Sequence, residues 1–282
     1  MIVDVIFLLH NKYGTIGDFA EFREMVLRSG IGSKNTIRVV LLLKGFSDRS
    51  FLVDEISDVV IQVPDCGRDI ASYFFYAEQS DADALVFFNT SSSITSEKFL
   101  LSAIDSILIE DIGLAGATGS YGGINQPLYF LQLWRHGLCS FPSAVLKMLI
   151  ATVFDIVLKL FGYSSVPHIR TNAFAVRKDI FLKSKTFFKK NLDTRFNSLM
   201  FESGQNGLSG FIGSLGLKMV IVNSNGERFS QDFWMNSKTY AIGVQEKLAV
   251  KDNRTEEYIR ADMTKRKKIS IATWCSKYKE IR

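Results

Sequence analysis

The sequence predicts an α/β protein built on a mostly parallel sheet with helices on both faces. Three observations predict it. Over the first 120 residues, short apolar runs alternate with stretches of helical periodicity. The run at 37–43 is apolar throughout, as expected of a strand buried on both faces. Polar clusters follow the runs that end at Val63 and Phe88: Cys66-Gly67-Arg68-Asp69-Ile70 and Asn89-Thr90-Ser91-Ser92-Ser93. In an open α/β sheet, ligands bind in the crevice outside the carboxyl ends of the strands, so these clusters point to one pocket.

Taken in order, residues 3–9 read as the first strand and 19–28 as a helix with Asp18 as its N-cap. Strands follow at 37–43, 59–63, 84–88 and 112–117. A short aromatic helix spans 70–78 and another helix 97–108. The fifth strand runs into the Gly-rich segment 116–123, expected to be a flexible active-site loop. Residues 141–161 form a long apolar stretch interrupted by Lys147, Thr152, Asp155 and Lys159 at roughly helical spacing. That pattern predicts an amphipathic helix and not a membrane-spanning one. It fits either a core helix of the domain or a helix lying against a membrane interface or a partner. A strand at 171–176, a helix starting at 179–183, partial helix over 196–215 and a final strand at 217–222 complete the pattern. The predicted organisation is one catalytic domain over 1–230, with 141–162 as an amphipathic helical insertion. A polar and basic extension over 231–282, of loops and a terminal helix, follows it.

Composition narrows the function classes. The 282 residues are 47% hydrophobic and 22% charged, enough for a sizeable core. With 23 Phe and only 4 Pro, disorder is disfavoured. Cys66, Cys139 and Cys275 are scattered, which fits reduced thiols in a cytoplasmic protein, and no CxxC spacing suggests zinc. The net charge of +5 leans on the C-terminal run Lys265-Arg266-Lys267-Lys268. A solvated helix face or attraction to an anionic membrane surface accounts for that run. No basic groove with interleaved aromatics suggests nucleic acid. The apolar N-terminus lacks a basic leader and a small-residue cleavage site, so it reads as a strand and not a signal peptide. The expected location is the cytoplasm, with peripheral contact at the inner face of the cell membrane.

The candidate chemistry lies at the strand ends. Gly67 permits a tight turn, Arg68 offers a fork for phosphate, and Asp69 can bind a sugar hydroxyl or cap the next helix. His10, followed by Asn11 and Lys12, ends the first strand on the same side. Asn89 and Ser91 add an amide and a hydroxyl, in a loop that also suits helix capping. Glu202, between apolar neighbours and a glycine, is a candidate general base, and Asp232 a weaker one. Trp234 could stack on a sugar or belong to the core. No nucleotide-binding glycine fingerprint and no G-x-S-x-G elbow occurs.

Several segments together resemble GT-A-type glycosyltransferases of bacterial surface-polysaccharide loci, including the rhamnan-synthesis type. They are Gly67-Arg68-Asp69-Ile70, Leu85 to Ser92, His168-Ile169-Arg170-Thr171-Asn172-Ala173-Phe174, Phe201-Glu202-Ser203-Gly204, Lys251 to Tyr258, and Ala272-Thr273-Trp274. Each is short, and their order along the chain, from about residue 60 to 275, is the stronger signal. The resemblance implies a GT-A-like, Rossmann-like fold and transfer of a sugar from a nucleotide-sugar donor to a glycan or lipid-linked acceptor, in capsule or O-antigen assembly. Arg68 and Asp69 would face the donor nucleotide, with His10, Asn11, Lys12, Gly67, Asn89, Ser91 and Arg170 also on the donor side. Asn172 and Trp234 would face the acceptor. Glu202 would activate the acceptor, so Glu202 and Asp69 are the catalytic candidates.

The resemblance also implies Mg2+ or Mn2+ held by an Asp-x-Asp after the central strand. Here that place is taken by Asn89-Thr90-Ser91, while Asp81-Ala82-Asp83 precedes the strand, at the wrong end of the sheet. An amide with serines is a poor oxygen set for a divalent ion, which puts metal dependence in doubt. Without a metal, the leaving diphosphate needs cationic side chains or backbone N–H groups; Arg68, Lys12 and Arg170 are the candidates. The alternative is a non-catalytic sugar-nucleotide-binding or scaffolding protein of the same assembly.

Overall fold

A computed structural model describes residues 1–30, 35–47 and 57–278. The first strand, β1 (Ile2–His10), sends Ile6 and Leu8 to one face of the sheet and Val5, Phe7 and Leu9 to the other. Helix α1 (Ile16–Arg28) is entered through Thr15, not Asp18. The Thr15 hydroxyl accepts from Asp18 N at 3.3 Å, and the Asp18 carboxylate accepts from Thr15 N at 2.7 Å. This reciprocal capping box places the acid three residues inside the helix. Next come β2 (Thr36–Lys44), β3 (Val59–Val63), α2 (Asp69–Ala77), β4 (Ala84–Phe88), β5 (Ser93–Ile94), α3 (Glu97–Ile107), β6 (Ile112–Gly116) and β7 (Gly119–Ser120).

A helical hairpin of α4 (Pro127–Arg135) and α5 (Phe141–Leu160) leaves the sheet at this point; β8 (His168–Ile169) then pairs with β7 in a separate two-stranded ribbon, and β9 (Ala173–Arg177) returns to the main sheet. The remaining elements are α6 (Lys178–Phe188), α7 (Arg195–Ser203), α8 (Leu208–Ser214), β10 (Lys218–Val222), β11 (Arg228–Ser230), a 3-10 helix at Gln231–Ser237, β12 (Val250–Lys251), α9 (Asn253–Arg260) and α10 (Met263–Trp274).

The main sheet has eight strands in the order β11-β10-β6-β9-β4-β1-β2-β3. β1, β2, β3 and β4 are mutually parallel, as are β6 and β10. β9 runs antiparallel between β4 and β6, and β11 is an antiparallel edge. The fold is therefore the mostly parallel α/β sheet with flanking helices that the sequence predicts. Strand order reverses beside β1: β2 and β3 lie on one side of it and β4 on the other. A crevice opens at such a reversal, here beyond His10 and Phe88.

Helices cover both faces and bury two apolar layers. On one face Phe74 of α2 stacks on Phe181 of α6 at 4.2 Å, and Tyr73 stacks on Phe87 at 4.4 Å. On the other, Phe22 of α1 meets Phe88 at 5.0 Å, with Phe99 of α3 beside it. Each fully buried aromatic contributes about 1.5–3 kcal/mol of transfer free energy, so these layers fix the frame on which the strand-end loops sit.

Two expectations need correction. The Gly-rich segment is not an open loop. Residues 116–120 are buried, and Ser120 Oγ, Tyr121 N and Gly122 N all donate to Thr273 O, at 3.1, 2.7 and 3.0 Å. β10 is also not the final strand, since β11 and β12 follow it. Residues beyond 230 supply Trp234, Tyr240, Tyr258 and Trp274 to the core, and Trp274 Nε1 donates to Ala241 O at 3.2 Å. The polar sequence of α9 and α10 hides two of these anchors, Tyr258 and Trp274.

Candidate active site

The site is built from the turn that joins β3 to α2. Gly67 has φ +65°, and a Cβ there would lie 2.7 Å from Ala71 Cβ and 2.9 Å from Leu192 O. Only glycine fits this left-handed, crowded position. The turn is held from below by Lys44, the last residue of β2, which is buried. Its ammonium donates to the carbonyls of Cys66, Gly67 and Arg68 at 3.1, 2.9 and 3.3 Å. Burial lowers its pKa, opposed by the nearby Asp69 and Asp65 carboxylates.

This arrangement places Asp69 at the N-terminus of α2, facing the end of β4. Burial raises the Asp69 pKa, while the Lys44 and Arg68 charges and a hydrogen bond with Asn89 pull it down. Asn89 Oδ1 also accepts from Ser91 Oγ at 3.1 Å and Ser92 Oγ at 2.7 Å. Asn89 N and Ser92 Oγ donate to Asn172 O at 3.2 and 2.8 Å, tying this loop to the entry of β9. Asn172 itself is buried: its Oδ1 accepts from Thr118 Oγ1 at 3.1 Å, and among the described residues its Nδ2 has no partner.

The opposite wall comes from α7 and the segment between β8 and β9. Glu202 Oε1 accepts from Thr171 N at 2.8 Å and from Thr171 Oγ1 at 3.3 Å. Among the described residues its Oε2 has no hydrogen bond. His168 is buried close by, with Nδ1 3.1 Å from Val166 O. Burial lowers its pKa, partly opposed by the Glu202 charge. Arg170 donates to Asp252 Oδ2 at 2.8 Å and lies 4.4 Å over the Tyr240 ring. Burial disfavours its charge, but Asp252 and Tyr240 more than offset this and the net shift is upward.

These walls enclose a cleft of about 300 Å³ lined by Arg68, Asp69, Asn89, Ser91, Arg170, Asn172, Glu202, Asp252 and Arg254, with Arg195 and Ser198 at one side. A second cleft of about 360 Å³ adjoins it, lined by Ser120, Gly122, Gln126, His168, Glu257 and Thr273. Arg170, Leu199, Glu202 and Arg254 line both. Glu202 thus stands at the junction of two clefts.

Seven of the residues expected at the site line the first cleft: Arg68, Asp69, Asn89, Ser91, Arg170, Asn172 and Glu202. Gly67 shapes the turn beneath it. His10 reaches Asp65 at 3.6 Å but does not line the cleft. Asn11 turns away to donate to Gly45 O, and Lys12 is exposed on the turn after β1. Lys12 is therefore not placed to meet a ligand in this cleft. Trp234 is fully buried in the core, so its ring has no face to offer a sugar. Asp232 is exposed, 3.7 Å from Lys277. Arg170, a candidate to stabilise a leaving diphosphate, has its charge balanced by Asp252. Among the described residues Arg68 and Arg195 form no salt bridge, which leaves their guanidinium groups open to a ligand in the cleft.

Sequence reasoning missed Lys44 and Arg195, and gave Asp252 and Arg254 no site role although it singled out their segment. Lys44 ends an apolar strand and carries no local signal. Asp252 and Arg254 fall in a segment distant in sequence from the strand ends. The Asp252 signal that does exist is its spacing to Thr255, a capping box at the start of α9.

The donor set does not fit a divalent ion bound in Asp-x-Asp fashion. The end of β4 offers an amide and hydroxyls, Asp69 is hydrogen-bonded to Asn89 there, Glu202 is held by Thr171 on the opposite wall, and Asp252 is committed to Arg170. No group of three His, Cys, Asp or Glu side chains converges among the described residues.

No protein-family model matches the chain, and no curated protein matches it. Among solved structures it is similar to a mannosyltransferase from Pyrobaculum calidifontis in complex with GDP-Man and Mn2+, at 11% identity and a TM-score of 0.44. That likeness covers 78% of this chain and 54% of the other, so the chain spans about half the length of that protein. It is also similar to glucosyl-3-phosphoglycerate synthase from Mycobacterium tuberculosis, at 13% identity and a TM-score of 0.37, covering 68% and 67% of the two chains. A third likeness is to CMP:2-keto-3-deoxy-manno-octonic acid synthetase complexed with CTP, at 8% identity and a TM-score of 0.41, covering 78% and 88%. At these scores they are distant likenesses, and the functional reading rests on the geometry of the two clefts.

Proposed function

We propose that this protein is a glycosyltransferase that moves a sugar from a nucleotide-sugar donor to a glycan or lipid-linked acceptor. The observation that carries the reading is the pair of adjoining clefts with Glu202 at their junction. The first cleft, at the strand-order reversal, suits the donor. Asp69 and Asn89 offer groups for hydroxyls, and Arg68 and Arg195 offer charge to a diphosphate. The second cleft suits the acceptor.

In an inverting transfer, Glu202 takes the proton of the acceptor hydroxyl as its oxygen attacks the anomeric carbon. The bond from that carbon to the diphosphate oxygen breaks, and the nucleoside diphosphate leaves with the electron pair. Hydrogen bonds from Thr171 orient one Glu202 oxygen and leave the other for the acceptor. Arg68 and Arg195 meet the charge on the leaving group without any step through a metal. A role in bacterial capsule or O-antigen assembly is part of the proposal and is supported by the sequence resemblance alone.

The test is donor binding and turnover by purified protein and its Asp69→Asn and Glu202→Gln variants. Asp69→Asn should lose donor binding. Glu202→Gln should bind donor normally and turn it over at least about a hundredfold more slowly. Near-normal turnover in both variants would overturn the site assignment, and donor binding with no transfer by the wild type would favour the scaffolding alternative.

A further inference from the structure

Helix α5 is long and apolar enough to cross a membrane, with 17% of the span buried. Its buried residues are Ala144, Ala151 and Leu158, spaced by seven along one seam. Leu146, Leu149, Ile150, Val153, Ile156 and Leu160 are exposed and recur at the spacing of a single helical face, opposite that seam. Lys147, Asp155 and Lys159 fall on the seam side. The polarity is thus the inverse of a surface helix: the apolar face points away from the protein. The sequence left a core helix as one reading, and the exposure removes it.

A single crossing is excluded by topology. β1 to β6 precede the helix and β9 and β10 follow it, yet β9 lies between β4 and β6 in one sheet. Both flanks of α5 must lie on the same side of any membrane, so the helix lies in the plane of the surface.

Charge identifies the occupant. From α4 through α5 the only acid is Asp155, which Lys159 already pairs at 2.9 Å, leaving Arg135 and Lys147 to set the sign. Exposed Trp134 and Phe141, 4.8 Å apart, sit where the two helices meet, in the manner of interfacial aromatic residues. Helix α10, which packs against α4, adds Lys268, while Lys265 is paired with Glu257 at 3.0 Å and Arg266 donates to Tyr258 O at 3.0 Å. A second copy packed on the same face of α5 about a two-fold axis would bring the Arg135 and Lys147 side chains of both copies together, with Asp155 already paired.

We propose that the α4–α5 hairpin docks in the plane of an anionic lipid surface. The apolar face of α5 enters the headgroup and acyl boundary, and the flanking cations meet lipid phosphates. Because Gln126, the residue before α4, lines the second cleft, docking sets that cleft beside the lipid.

The test is flotation of the full chain with phosphatidylcholine vesicles, with and without phosphatidylglycerol, at low and high salt. Light scattering of the same samples without lipid gives the oligomeric state. The wild type should float with the anionic vesicles and less at high salt. A Leu149→Glu/Val153→Glu double variant should bind at least about tenfold less, because it places charge on the inserted face. Both positions are exposed, so its Tm should match the wild type; the lipid-charge and salt dependence of the wild type is an independent readout. Flotation with neither vesicle, or equal flotation by the double variant, would overturn the proposal. So would a wild-type dimer that does not float and that the double variant dissociates, since the face would then belong to a second copy.

Discussion

The pairing of Arg170 with Asp252 makes a prediction with two opposite signs. The two side chains are 14% and 4% exposed and 2.8 Å apart, so they form a nearly dry ion pair between the β8–β9 segment and the start of α9. Asp252→Asn removes the charge but keeps an oxygen. Oδ1 can still accept from Arg254 N and Thr255 N, at 3.0 and 2.8 Å in the wild type, so the α9 cap survives. What remains is a buried guanidinium beside Tyr240 without its carboxylate. Removing one partner of a buried pair costs about 3–5 kcal/mol; the Tyr240 face, 4.4 Å away, offsets part of this, and we expect a loss of about 3 kcal/mol. Asp252→Ala also deletes the cap and should cost about 1 kcal/mol more. The uncompensated Arg170 lines the cleft, so a nucleoside diphosphate should bind Asp252→Asn more tightly and stabilise it more than the wild type. Urea denaturation with and without nucleoside diphosphate measures both. A stability change below about 0.5 kcal/mol, the size expected of a surface substitution, together with unchanged ligand affinity, would refute the reasoning.

Two further predictions follow from the buried cations and the buried imidazole. Lys44→Met deprives the carbonyls of residues 66–68 of their shared donor and should cost about 2–3 kcal/mol in urea denaturation, with donor binding lost because Asp69 is no longer held against Asn89. Unchanged donor affinity in this variant would separate the turn from the site. His168 has its pKa lowered from 6.5 by burial, so below that pH the unfolded chain takes up a proton that the folded ring refuses. Its contribution to stability is present at neutral pH and is lost as the pH falls below about 6.5. Asp69, with its raised pKa, works in the opposite sense, so the readout is the difference between the wild type and His168→Gln. The variant should have the flatter Tm profile between about pH 7 and 5, and identical slopes would contradict the assignment.

Much of the fold was legible because its signals are local. Continuous apolar runs marked β1, β2 and β4, and the polar clusters after β3 and β4 marked the ends that bear the cleft. Asp18 was misread as a cap because a capping box is reciprocal and its Asp and Thr residues both look like caps. Of the two readings of Trp234, sugar stacking or core, the core one holds; a tryptophan in a polar stretch gives no sign of which until the packing of the last 50 or so residues is known. Lys44 and the pairing of Asp252 with Arg170 were hidden for a different reason: both depend on contacts made across the fold, so the segment 251–258 could be singled out in the sequence without its ion pair being readable. The outward apolar face of α5 lies between these cases. Its spacing was readable, but the direction it faces is set by the seam of Ala144, Ala151 and Leu158 against the body.

The central claim is that the cleft beyond β1 and β4 binds a nucleotide-sugar through Asp69 and presents it to Glu202. The most direct measurement is a thermal-shift titration of nucleoside diphosphate sugars against the wild type and Asp69→Asn, with and without Mg2+ or Mn2+, followed by turnover of the best ligand. At a hundredfold excess over Kd, binding adds about 2.7 kcal/mol, which for a domain of this size is a rise in Tm of about 5 °C or more. The account predicts such a rise for at least one donor in the wild type, its loss in Asp69→Asn, and slow turnover with normal binding in Glu202→Gln. No shift with any nucleotide-sugar, or a shift that survives Asp69→Asn, would contradict it.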